Sequence, residues 1–179
     1  ALYPKIFINW IKTYKSYFSK GTIFTDVTGV KTSIVYKIQD ELPDGVEFIG
    51  AHPMAGREVY GVKNAKAEIF HKANYIVTPT ERNSEKAIKF AETIGRELKF
   101  SRISRLSPEK HDEMIAFLSQ LTHCIAVSLM TCKDSEHLST YTGDSFRDLT
   151  RIANINEDMW SELFLMNKEQ LINQMDLFL

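Results

Sequence analysis

Apolar positions along this chain follow first one period and then another. Phe7, Trp10, Ile11, Tyr14 and Phe18 fall at i, i+3, i+4, i+7 and i+11, one face of an amphipathic helix with Pro4 near its first turn. Residues 22–27 are β-branched and aromatic and predict a strand that closes at Thr28-Gly29, with a helix over 31–39. Residues 46–50 predict the next strand, 65–70 a short helix, and 75–79 a third strand closed by Pro79. Ser84 caps a helix over 85–94 that Gly95 stops, and 98–103 predicts a fourth strand. Strands alternating with helices indicate an α/β sheet.

Beyond residue 104 the period stays helical. Ser107-Pro108-Glu109 is an N-cap, a first-turn proline and an early acid. From there to about residue 132 neither glycine nor proline occurs, and Met114, Leu118, Leu121, Ile125 and Leu129 form an apolar stripe. Such a helix runs to about twice the usual length, as central or interface helices do. Further helices are predicted over 146–153, 157–166 (capped by Asn156) and 168–179. The fold class is therefore α/β followed by all-α, divided as 1–104 and 105–179.

Composition narrows the function. With 44% hydrophobic residues the 179-residue chain can bury a substantial core, and 22 Lys plus Arg against 23 Asp plus Glu leave a net charge of −1. That balance lacks the basic footprint of a nucleic-acid binder. Cys124 and Cys132 lie eight apart in one predicted helix, ~12 Å and beyond disulfide reach, which suits free thiols in a reducing compartment. No run of about 18 apolar residues or signal peptide is evident, so a cytoplasmic protein without a membrane partner is expected.

Four places carry side chains suited to chemistry. His52, in Gly50-Ala51-His52-Pro53-Met54-Ala55-Gly56-Arg57-Glu58, is a titratable group on a stiff turn after a strand, suited to general-base work or simply satisfied in a loop. Thr28, at a strand end turning into a helix, faces a ligand or belongs to an ordinary β–α turn. Ser119 and His123 share a helix face that lines a site or meets solvent or core. Arg147 and Arg151, with Asp148, either hold a carboxylate or form a surface ion pair. His71, His111 and His137 have no company that raises them above satisfied or exposed histidines, and no cluster shows metal-ligand spacing.

Taken together, the His52 stretch, residues 119–123, and residues 145–153 followed by Met159-Trp160 resemble the prephenate dehydrogenase family across nearly the whole chain. The resemblance implies oxidative decarboxylation of prephenate in tyrosine biosynthesis, with NAD (or NADP) as cofactor and a homodimer built by the helical part. It implies that His52 is the general base, that Arg151 binds a substrate carboxylate, and that His123 is a second active-site histidine. Ser119, Glu58, Asp148 and Trp160 fall at or near the substrate, and Thr28 and Met54 near the cofactor. The chain departs from the family where a serine that assists the histidine is Gly29, leaving neighbouring Thr28 to stand in. It also has Gln120 in place of a further histidine, and Arg57 as a possible extra cationic contact to the substrate. The family's Gly-x-Gly-x-x-Gly motif does not occur in these residues. The expectation is a fragment: the second part of a Rossmann-type nucleotide-binding domain plus a helical domain, with weak dinucleotide binding of its own. Arogenate dehydrogenase, or a catalytically silent dimerisation and substrate-binding fragment, are the alternatives.

Overall fold

Among residues 2–56, 61–133 and 137–179, which the computed structural model describes, four strands form one sheet in sequence order. They are β1 (Ile23–Thr25), β2 (Glu47–Pro53), β3 (Asn74–Thr78) and β4 (Arg102–Arg105). The pairs β1–β2 and β3–β4 are parallel, whereas β2 and β3 are antiparallel, with His52 opposite Ile76. The antiparallel step follows from the connection between them. Its described part contains only 3₁₀ turns at Val62–Asn64 and Ala67–Phe70, with no crossover helix to return the chain in the same direction.

Helices α1 (Pro4–Tyr14), α2 (Thr32–Glu41) and α3 (Glu85–Glu97) cover this sheet. Successive β2 side chains point to opposite faces. Ile49 and Ala51 pack in one cluster with Ala87, Ile88 and Ala91 of α3. On the other face Phe48 meets Phe7 of α1, ring centroids 5.8 Å apart. A Cβ on Gly50 would collide with Thr78 Oγ1 and lie 2.8 Å from Val35 Cγ2 of α2, so glycine is what lets α2 and the Thr78 side chain pack this closely on the strand. Ser84 caps α3 as expected, and Glu47 accepts from its hydroxyl and its N–H, both at 2.7 Å. Gly95 does not stop α3. It is buried within the helix, where a Cβ would meet Tyr75 and Ile103.

The chain divides into two compact units, Ala1–Asp112 and Glu113–Leu179. The long helix forms, with Ser107 Oγ accepting from Lys110 N at its start, as α4 (Pro108–Ile115), a π-helical stretch over Ala116–Leu121, and α5 (Thr122–Thr131). Contrary to the expectation of no long apolar run, Pro108–Thr131 is by length and composition apolar enough to cross a membrane. Core helices of soluble proteins meet the same test. The second unit continues with α6 (Leu138–Tyr141), α7 (Asp144–Thr150), a 3₁₀ turn at Arg151–Ala153, α8 (Glu157–Met166) and α9 (Lys168–Phe178). Asn156 caps α8 by accepting from Met159 N at 2.9 Å. Gln120, buried on the π stretch, donates to Leu163 O at 3.1 Å and accepts from Asn167 Nδ2 at 2.8 Å, tying the stretch to the junction of α8 and α9.

Candidate active site

The first unit gathers its buried polar residues at the carboxyl ends of β1 and β2. Asp26, just past β1, spans residue 51: its Oδ1 accepts from Ala51 N at 2.9 Å, while Oδ2 meets Lys31 Nζ at 2.6 Å. Lys31 Nζ also donates to Ala51 O at 2.6 Å. Backbone pairing of β1 with β2 ends at Thr25–Ile49, and this ion pair takes over from the ladder to hold the main chain next to His52. Lys31 is fully buried, and burial pulls its ammonium below the usual lysine range against the opposing pull of Asp26.

His52 is not on a turn, as the sequence suggested, but inside β2, on the face of Phe48 and Gly50. Its Nδ1 lies 2.8 Å from Nε2 of His111 on α4, and His111 Nδ1 lies 2.8 Å from Asp112 Oδ1. The Asp112 carboxylate in turn accepts from Lys31 N and Thr32 N, each at 2.8 Å. A residue 80 positions away thus caps α2, which has no side-chain cap of its own. Burial, with the Lys31 charge and then His111, pushes the His52 imidazole well below 6.5. Burial also lowers His111, against its bond to Asp112. For Asp112 burial acts upward, but the bonds from His111 and Thr32 hold the carboxyl below its ordinary value.

Thr28 has its hydroxyl engaged away from His52. Its hydroxyl donates to Asp26 Oδ2, with Val30 O at 3.0 Å, and accepts from Lys31 Nζ at 3.1 Å. It does line, with Phe7, Asp26 and Val27, a cleft of about 320 Å³ at the end of β1. Ligands of parallel α/β sheets bind at such strand ends. Met54 extends the sheet, its N–H donating to Asn74 O at 2.8 Å.

His111 is the site residue that the sequence reading passed over. The signal that could have found it is its place beside Asp112 in the first turn of the long helix, where a carboxylate can orient an imidazole.

In the second unit, His123 stacks on Trp160 with ring centroids 3.8 Å apart and planes 29° apart, and its Nδ1 is 2.8 Å from Ser119 O. Ser119 thereby contributes its carbonyl, which also accepts from Thr122 Oγ1 at 2.7 Å. The π stretch offsets the turn that carries these residues. Arg147 pairs with Asp144 and donates to Thr142 O at 2.8 Å, while Asp148 and Arg151 are exposed. Arg57 and Glu58 lie outside the described residues.

Two family models match in tandem, the prephenate dehydrogenase nucleotide-binding domain over residues 3–102 and its dimerization domain over residues 107–179. The chain belongs to the prephenate dehydrogenase family. It is 32% identical over 159 residues to prephenate dehydrogenase of Bacillus subtilis, covering 86% of this chain and 43% of that protein. Cyclohexadienyl dehydrogenase of Zymomonas mobilis is 32% identical over 166 residues, 89% of this chain and 56% of its own length. The chain thus spans about half the length of these curated relatives. Its fold superposes on prephenate dehydrogenase from Aquifex aeolicus, solved with hydroxyphenyl propionate and NAD+, with a TM-score of 0.89 at 28% identity. That match covers 99% of this chain and 63% of the other. The four-stranded, partial Rossmann-like sheet and the helical region of this chain both fall within that match.

Proposed function

We propose that this chain is part of an NAD-dependent prephenate dehydrogenase, which oxidatively decarboxylates prephenate to 4-hydroxyphenylpyruvate. The observation that carries the reading is His52, held in β2 of a prephenate dehydrogenase family chain and bonded through one ring nitrogen to a buried partner. In this reading residues 1–104 are the second part of the nucleotide-binding domain and 105–179 bind substrate and dimerise.

When bound, NAD would supply the hydride acceptor, and Thr28, which lines the cleft at the end of β1, would hold it together with Met54, the other residue that the family resemblance assigns to the cofactor. His52 is unprotonated at neutral pH because its imidazole is pushed well below 6.5, so it is ready to take the proton of the ring hydroxyl. Two carboxylates, Asp26 and Asp112, outnumber one ammonium, Lys31, so the proton arrives in a cluster whose formal charge rises from −1 to zero. In this reading Arg151 binds a substrate carboxylate, His123 is a second active-site histidine, and Trp160, Ser119, Asp148, Glu58 and Arg57 are the further substrate-binding residues that the family resemblance implies. The second unit leaves Phe117, Leu118, Leu149, Leu165 and Phe178 exposed, which supports a homodimer through this region. Free Cys124 and Cys132 suit a cytoplasmic enzyme.

The test is the full-length protein with prephenate and NAD, followed by absorbance of the reduced nicotinamide, with arogenate in a parallel arm. Reduction with prephenate, and a His52→Asn variant slower by about 10²–10⁴-fold, is expected. Faster turnover of arogenate than of prephenate would favour the arogenate dehydrogenase alternative. No reduction with either overturns the reading.

A further inference from the structure

The chain His52–His111–Asp112, buried at its last two members, constrains where protons sit. An ionised carboxylate only accepts hydrogen bonds, and Asp112 already accepts two from the backbone of α2. His111 Nδ1, 2.8 Å from Asp112 Oδ1, must therefore donate. His111 is fully buried with no second anion on its ring, so it is neutral and its Nε2 is a bare acceptor. At 2.8 Å from that acceptor, His52 Nδ1 is the donor. Neutral imidazole in water prefers its proton on Nε2, the other nitrogen, so the protein must impose this state.

We propose that His111 and Asp112 are positioning residues that fix His52 as the Nδ1–H tautomer and leave Nε2 as its basic atom. The proposal rests on the reading of His52 as general base for its catalytic consequence, though the tautomer can be observed without turnover. Among the described residues, three charged groups act on the His52–His111 pair: Asp112 from α4, Lys31 at the start of α2, and Asp26 after β1. The last two are engaged with each other and with residue 51. When the substrate O–H bond breaks, the new N–H bond forms at His52 Nε2. The resulting imidazolium keeps its Nδ1–H on His111, whose own Nδ1–H stays on Asp112, so no second proton has to move. The arrangement also accounts for the absence of a serine at Gly29: the orienting partner of His52 comes from the helix.

The experiment is proton–nitrogen correlation spectroscopy on the full-length protein with ¹⁵N-labelled histidine at neutral pH, beside kcat and KM for prephenate. His52 is expected with a protonated Nδ1 and a bare Nε2. His111→Phe should shift the proton to Nε2 in the major form and lower kcat at least tenfold with KM little changed. His111→Gln, whose amide oxygen can still accept, should restore the tautomer and most of kcat. A proton on Nε2 of wild-type His52 overturns the proposal whatever the variants do, so it stays testable even where they fold poorly. Nδ1–H in a protein that does not oxidise prephenate sustains the proposal and overturns only the dehydrogenase reading.

Discussion

At the scale of single residues, the site depends on imidazoles kept neutral by burial. His52 and His111 both sit below 6.5, so as pH falls through that value the unfolded chain takes up protons that the folded chain refuses. The unfolded state then binds more protons, and stability rises with pH over that window. Denaturant unfolding should therefore show stability falling as pH drops below about 6.5, with the slope flattened in a His52→Gln/His111→Gln variant. An unchanged slope would mean that these histidines charge freely in the fold. At this scale the sequence showed His52 and Thr28 but assigned Thr28 the wrong partner. A hydroxyl beside the family's serine position is not beside the histidine once Asp26 and Lys31 have engaged it.

At the scale of elements, the Asp26–Lys31 pair joins β1, α2 and β2 at one point. Both side chains are nearly inaccessible, at 2% and 0% exposure, so removing one charge strands the other in the interior. Lys31→Met should cost about 3–5 kcal/mol, and Asp26→Asn/Lys31→Met less than Lys31→Met alone, because an apolar stem beside a neutral amide leaves no buried charge. Chemical denaturation of the two variants measures the difference, and equal losses would show that the charge is not what matters. The cap signals at Ser84, Ser107 and Asn156 were legible because they act within three residues. Two other features were not. Asp112 caps α2 from 80 positions away, and Gly95, an apparent stop, is the thin place that lets α3 sit on Tyr75 and Ile103.

At the scale of the molecule, the second unit leaves Phe117, Leu118, Leu149, Leu165 and Phe178 exposed. Sedimentation of the chain should give twice its 20.6 kDa mass, and Leu118→Asp, placing a charge on a residue 54% exposed, should shift it toward the single-chain mass. A single-chain mass in the unsubstituted protein at micromolar concentration would end the dimer proposal.

Local chemistry along the chain determined where helices and strands lie, because periodicity and caps are properties of neighbours in sequence. It also pointed to His52, because a histidine between a strand and Pro53 stands out locally, and motif order carried the family. Only the folded structure decided which nitrogen of His52 is engaged, and by what. His111 reaches it across 59 positions, and no short-range pattern can report a contact that exists only after α4 has been brought against the end of β2.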